Sequence, residues 1–215
     1  MQAPCGWGVS LARRSTRLTV APVVAARQRR GAALPASPPV AASRVRVLGL
    51  DPGSRATGYA LLECVGTTST YLASGAIRTT ADSFPRRLEE IFAGVSRLVS
   101  EYRPDEVAIE RVFMHRNPDS AIKLGQARGA ALCGTFSVEP GIYEYAPREV
   151  KLAVVGTGAA QKEQVQLMVK QLLRLSGSIG PDAADALAIA LCHANTRRLA
   201  SLVRAAGVPR PRSVP

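Results

Sequence analysis

No stretch of this 215-residue chain stays apolar for the ~18 residues that a bilayer crossing requires, so a helical membrane protein is not expected. Histidine is nearly absent: His115 and His193 stand alone and far apart, each better read as a packed or solvated side chain than as a metal ligand. The four cysteines, Cys5, Cys64, Cys133 and Cys192, are too scattered for a zinc knuckle or a C-x-x-C pair. That spacing favours a reducing, cytoplasm-like compartment. Lysine is scarce as well, with 4 against 24 arginines. Acid is missing altogether from residues 1–44, which hold seven arginines and are rich in Ala, Pro and Ser.

What is present is a basic chain with enough apolar content to build a core. Hydrophobic residues make up 47% and the formal charge is +12. The first 44 residues carry +7 of that charge, leaving +5 for the rest. A basic excess suits polyanionic partners, nucleic acid first. The arginine bias suits phosphate recognition, but it is equally what a GC-rich coding sequence produces. An Arg-rich, acid-free N-terminus resembles an organellar transit peptide; an over-long start in a GC-rich bacterial gene explains it too. Residues 1–44 are expected to lie outside the fold, residues 45–205 to form one α/β domain, and 206–215 to be a loose tail.

From Val45 onward the pattern becomes regular. Residues 45–51, 58–65 and 71–79 read as strands, the last two joined across a turn at GTTST. The stretch SFPRRLEEIFAGVSRLVSEYR carries Leu88, Ile91, Phe92, Val95, Leu98, Val99 and Tyr102 at helical spacing, with Ser83 as N-cap and Pro85 in the first turn. DEVAIERVF is a strand ending near Glu110, PDSAIKLGQARGAALCGTF a helix, and GIYEYA a strand. Three helical stretches follow: PREVKLAVVG, then AQKEQVQLMVKQLLRL with a stripe of Val165, Met168, Val169 and Leu172, and finally PDAADALAIALCHANTRRLASLVRA. The first half of that last helix is apolar nearly all round and should be buried. The order predicts a mixed sheet of five strands with helices on both faces.

Four carboxylates sit where a sheet of this kind places chemistry. If strands 45–51 and 106–111 run parallel as neighbours, Asp51 and Glu110 leave the sheet side by side at its C-terminal edge. Asp182 and Asp185, three apart, share one face of the last helix. Each has a plainer explanation: Asp51 before Pro52-Gly53 as a turn former, Asp182 as an N-cap, Asp185 as a partner of the helix dipole, Glu110 as a partner of Arg111 or Arg128. Taken together, four acids on elements that can converge in a net-basic domain point to a divalent-cation site. Hard oxygen ligands favour Mg2+ or Mn2+ over zinc. Two such ions about 4 Å apart would serve phosphodiester hydrolysis.

The blocks GLDPGSRATGY, AIERVFMHRNPDSAIKLGQARGAAL, VKLAVVGTGAAQKEQVQ and DAADALAIA closely resemble the RuvC family of Holliday-junction resolvases, without evident gaps from about Val45 to about His193. The resemblance implies an RNase H-like fold and a homodimeric, Mg2+-dependent endonuclease that resolves four-way DNA junctions by paired nicks in recombination and repair. Two Mg2+ per active site are implied, with Mn2+ as a substitute. By the same resemblance Asp51, Glu110, Asp182 and Asp185 are the catalytic metal ligands. Lys151 and Lys162 match positions that contact DNA, and Phe113 matches an aromatic that stacks on an unpaired base. A branch-migration motor is a candidate partner, and the bacterial cytoplasm the expected location, which favours the over-long-start reading of residues 1–44. Three other readings compete: an RNase H-type nuclease acting on RNA–DNA hybrids, a sugar-kinase-like phosphotransferase, and a non-catalytic DNA-binding module. The phosphotransferase class repeats its unit in a second domain that this chain does not show, and the four acids speak against a purely binding module.

Overall fold

The computed structural model describes residues 43–111 and 117–206, all within one compact unit. Five strands form a single sheet: β1 (Arg44–Asp51), β2 (Ala56–Val65), β3 (Thr68–Arg78), β4 (Glu106–Glu110) and β5 (Gly141–Tyr145), in the spatial order β3-β2-β1-β4-β5. The first three form an antiparallel meander; β4 and β5 add in parallel on the other side of β1. The β2–β3 turn is tighter than the sequence suggests. Val65 already pairs with Thr68, because Gly66 takes a positive φ of 58° and closes the hairpin with two residues.

Among the described residues five α-helices flank the sheet, α1 (Phe84–Tyr102), α2 (Pro118–Cys133), α3 (Pro147–Val155), α4 (Lys162–Leu172) and α5 (Pro181–Ala205), with a single 3-10 turn at Phe136–Val138. Alternation along the strands divides the core in two. Leu48, Leu50, Val107 and Ile109 point towards α1 and α2. Val47, Ala60, Leu62 and Ala108 point the other way and meet α5, with α3 and α4 packed beside it. Ile91, Val95 and Val99 of α1 are buried as their spacing predicts, whereas Phe92 is 45% exposed because it lies at the margin of the stripe. Ser83 occupies the N-cap without a side-chain bond to the helix. On α4, Val165 and Val169 are buried, while Leu172 turns outward and Leu173 replaces it in the core.

The contact of α5 with the sheet is backbone on backbone. A Cβ on Gly49 would lie 2.4 Å from the Ala186 carbonyl oxygen, and one on Gly58 would lie 2.1 Å from that of Asp182. Glycine in the strands and alanine on α5 (Ala183, Ala184, Ala186, Ala190) allow this approach, which fixes α5 in height and rotation over β1 and β2. His193, buried at 1% exposure, locks the far end of the helix: Tyr145 Oη lies 2.6 Å from its Nδ1 and Glu106 Oε2 2.7 Å from its Nε2. This is the packed histidine that the sequence predicts, and burial lowers its pKa. Cys64, Cys133 and Cys192 are free thiols.

Candidate active site

Asp51 follows Val47 and Gly49 on the α5 face of β1, and Glu110 follows Glu106 and Ala108 on the same face of β4. Both lie one residue beyond the paired Leu50 and Ile109, so strand pleat and parallel register bring them out together beneath α5. Asp51 also pairs with Gly58, the residue on which the first turn of α5 rests. Asp182 and Asp185 occupy that first turn and the next.

A cavity of about 240 Å3 is lined by Asp51, Glu110, Asp185, Lys151 and Lys162, with apolar walls from α3, α4 and α5. Asp182 lies just outside it, lining an adjoining groove. Of the residues singled out in the sequence, six of seven are therefore gathered at one end of the sheet. Phe113 lies outside the described residues.

The electrostatics are those of crowded acids. Asp51 has its pKa raised to about 7, first by burial, then by Glu110 and Asp185, with Lys162 opposing and Asp182 adding. Lys162, the first residue of α4, donates from Nζ to Asp185 Oδ2 at 2.6 Å, and this bond raises its own pKa. Arg78 at the end of β3 approaches Asp182 at 3.7 Å. Two protein cations thus neutralise part of the acid cluster, and among the described residues no three acid, His or Cys side chains are close enough as they stand to cage an ion. The donor set itself fits a hard divalent cation: oxygen ligands only, mutually repelling, and carried on rigid elements.

Arg78 is a residue of the site that no sequence signal announces. Arg128, expected from the sequence as a side-chain partner of Glu110, instead donates from Nε to the main-chain oxygen of Glu110 at 3.3 Å, and its Nη2 pairs with Glu144 at 2.5 Å.

A mixed sheet opened by an antiparallel meander, with converging carboxylates at the ends of β1 and β4 and a helix laid across them, defines an RNase H-like nuclease. Within that class, the chain belongs to the family of the crossover junction endodeoxyribonuclease RuvC, whose family model matches residues 47–193. It is 55% identical to the RuvC of Shewanella sediminis over 150 residues, covering 70% of this chain and 87% of that one. With the Vibrio cholerae O395 protein it shares 53% over 161 residues, covering 75% and 92%. Thermus thermophilus RuvC in complex with Holliday junction substrate superposes with a TM-score of 0.68 at 34% identity, covering 73% and 97%. The yeast mitochondrial Holliday junction resolvase Ydc2 shares the fold, with a TM-score of 0.56 at 13% identity.

Proposed function

We infer that the chain is a crossover junction endodeoxyribonuclease that cuts four-way DNA junctions by divalent-metal-dependent hydrolysis, with Asp51, Glu110, Asp182 and Asp185 as the metal-holding residues. The observation that carries this reading is the convergence of Asp51, Glu110 and Asp185 on one cavity beside Lys151 and Lys162, in a chain of this family. When bound, Mg2+ or Mn2+ would activate water and stabilise the leaving oxygen. The chain's own residues do the rest. The strands hold Asp51 and Glu110 at a fixed separation, and α5, seated on Gly49 and Gly58, sets the height of Asp182 and Asp185. Lys151 and Lys162 supply positive charge for the phosphate, Lys162 aided by its place at the N-terminus of α4. Phe113, just beyond Glu110 in the chain, is assigned to stacking on an unpaired base at the crossover.

A junction with two equivalent strands to cut calls for two sites, and a C2 homodimer matches its symmetry. Helix α2 is the element assigned to that interface. Ala127, Ala131 and Gly134 pack against the chain's own core and α1, but Gly125 and Gly129 face open space and Ile122 is 61% exposed, leaving a surface that another helix can approach closely. The bacterial cytoplasm is the assigned location.

The direct experiment is cleavage of a synthetic mobile four-way junction with and without Mg2+, against linear duplex and RNA–DNA hybrid. Glu110→Gln, Asp182→Asn and Asp185→Asn should each abolish cutting while junction binding is retained. Cutting of the hybrid in preference to the junction would replace this reading by an RNase H-type one.

A further inference from the structure

The adjoining groove, of about 550 Å3, borders the acid cluster but is lined by neither Lys151 nor Lys162. One wall is the end of β3, the other the connection between α4 and α5, and Asp182 stands at its edge as the only acid among the lining residues. Its other polar groups are two guanidiniums, Arg78 and Arg174, and the hydroxyls of Tyr71, Ser74, Ser176 and Ser178, of which those of Tyr71 and Ser74 bond to each other at 3.2 Å.

Both arginines rise from backbone that is held in place. Thr79, next to Arg78, donates from its N–H to the Arg55 carbonyl at 3.0 Å, and from Oγ1 to the Ser54 and Arg55 carbonyls at 3.2 Å each. The end of β3 is thereby pinned to the loop that leaves Asp51. Arg174 closes α4: its N–H reaches the Gln171 carbonyl at 3.2 Å and that of Leu175 reaches the Lys170 carbonyl at 2.9 Å, with Arg174 at φ 52°. This is the double closure that glycine commonly makes in the left-handed region, here made by an arginine whose side chain lines the groove. The bases of the two side chains are fixed while their heads stay accessible, Arg78 at 71% exposure. Arg78 leans on Asp182 at 3.7 Å, an exposed contact that gives way readily to a better acceptor.

Two guanidiniums and four hydroxyls, with Gly180 leaving open space beside them, form a surface for phosphodiester oxygens. The lysine-lined cavity lies on one side of the acids and this groove on the other. We propose that the β3–α5 groove binds backbone phosphates of the strand being cut, Arg78 and Arg174 being phosphate contacts on the side of the carboxylates away from Lys151 and Lys162. The inference rests on the reading of the chain as a junction nuclease and adds the path of the strand.

The test measures binding of the full chain to a labelled four-way junction in EDTA across a salt series. Arg78→Gln and Arg174→Asn, the latter chosen because Asn tolerates a left-handed backbone, should each flatten the slope of log Kd against log salt by about one and weaken binding about tenfold at moderate salt. Arg97→Gln, an exposed arginine on α1 across the sheet, controls for net charge and should have a smaller effect. A single neutral methylphosphonate, stepped along the strand on either side of the cut, should weaken the wild type at one or two positions on one side and leave the double variant unaffected there. Wild-type slopes in both groove variants, an equal loss in Arg97→Gln, or a methylphosphonate effect that persists in the double variant would overturn the proposal. Cleavage by the wild type in Mg2+ reports on the underlying reading separately: loss of cutting there condemns the nuclease assignment, while wild-type cutting with unaltered variant binding condemns only the groove.

Discussion

Asp51→Asn removes a charge while keeping the shape of the side chain, and its consequence for stability can be worked from the site. The Asp51 carboxyl ionises at about 7 in the folded chain against 3.8 for an ordinary aspartate, first through burial and then through Glu110 and Asp185. Because the folded form holds the proton more tightly, its contribution to stability is complete below pH 4 and is lost as the pH rises through about 7. Full ionisation corresponds to about 4 kcal/mol, and since Asp51 keeps some solvent contact we expect about 2–4 kcal/mol. The metal-free Asn variant should therefore match the wild type near pH 4 and exceed it by that amount at pH 8. Urea unfolding followed by circular dichroism in EDTA, at half-unit steps from pH 4 to 8, reads the difference directly; taking wild type minus variant cancels the other titrating groups. Saturating Mg2+ should restore the wild type at pH 8 and stabilise the variant less, because a cation bound to the folded state stabilises it by RT ln(1 + [Mg2+]/Kd) and the variant has lost one ligand charge. Parallel pH profiles for the two proteins would refute the argument: Asp51 would then ionise normally, and the acids would not be crowded.

Gly58→Ala would put a methyl 2.1 Å from the Asp182 carbonyl, so α5 must lift from the sheet; we expect a loss of about 1–3 kcal/mol in denaturant titration, with cleavage falling further than stability because Asp182 and Asp185 move with the helix. Phe113→Ala should reduce junction cleavage while leaving the melting temperature nearly unchanged; a loss of about 3–5 kcal/mol would make it a core residue instead. The sequence expectation that the fold begins after residue 44 is corrected by one residue, because Arg44 opens β1 and pairs with Glu63; removing residues 1–43 should leave cooperative unfolding and specific cleavage intact, and flatten the salt dependence of non-specific binding by up to the six arginines lost. Gly129→Leu fills open space in the single chain, so it should shift a dimer towards monomer by light scattering without altering far-UV circular dichroism; a wild type that is monomeric with and without junction DNA would remove α2 from that role.

Much of this protein was legible in the order of its residues because local physics decides it. Period-two and period-3.6 patterns placed the strands and helices, since burial of alternate or every third and fourth side chain is what makes those elements persist. Parallel register and strand pleat sufficed to bring Asp51 and Glu110 out at one edge, and the three-residue spacing sufficed to put Asp182 and Asp185 on one helix face. The family was visible because its blocks are long and specific. Only the tertiary structure decided how those acids are partnered. Nothing near Asp182 in sequence announces Arg78, 104 positions earlier, because the pair exists only once β3 has folded back across β2 and α5 has settled on the sheet. The same holds for Arg128 at the Glu110 carbonyl, and for Gly49 and Gly58, which read as weak points in strands until a helix backbone lies against them. Asp51 looks like any aspartate before a turn; its raised pKa comes from burial and from two carboxylates 59 and 134 positions away in the chain. Spacing along the chain records which side chains share an element, but the charge each one carries depends on what the fold brings beside it.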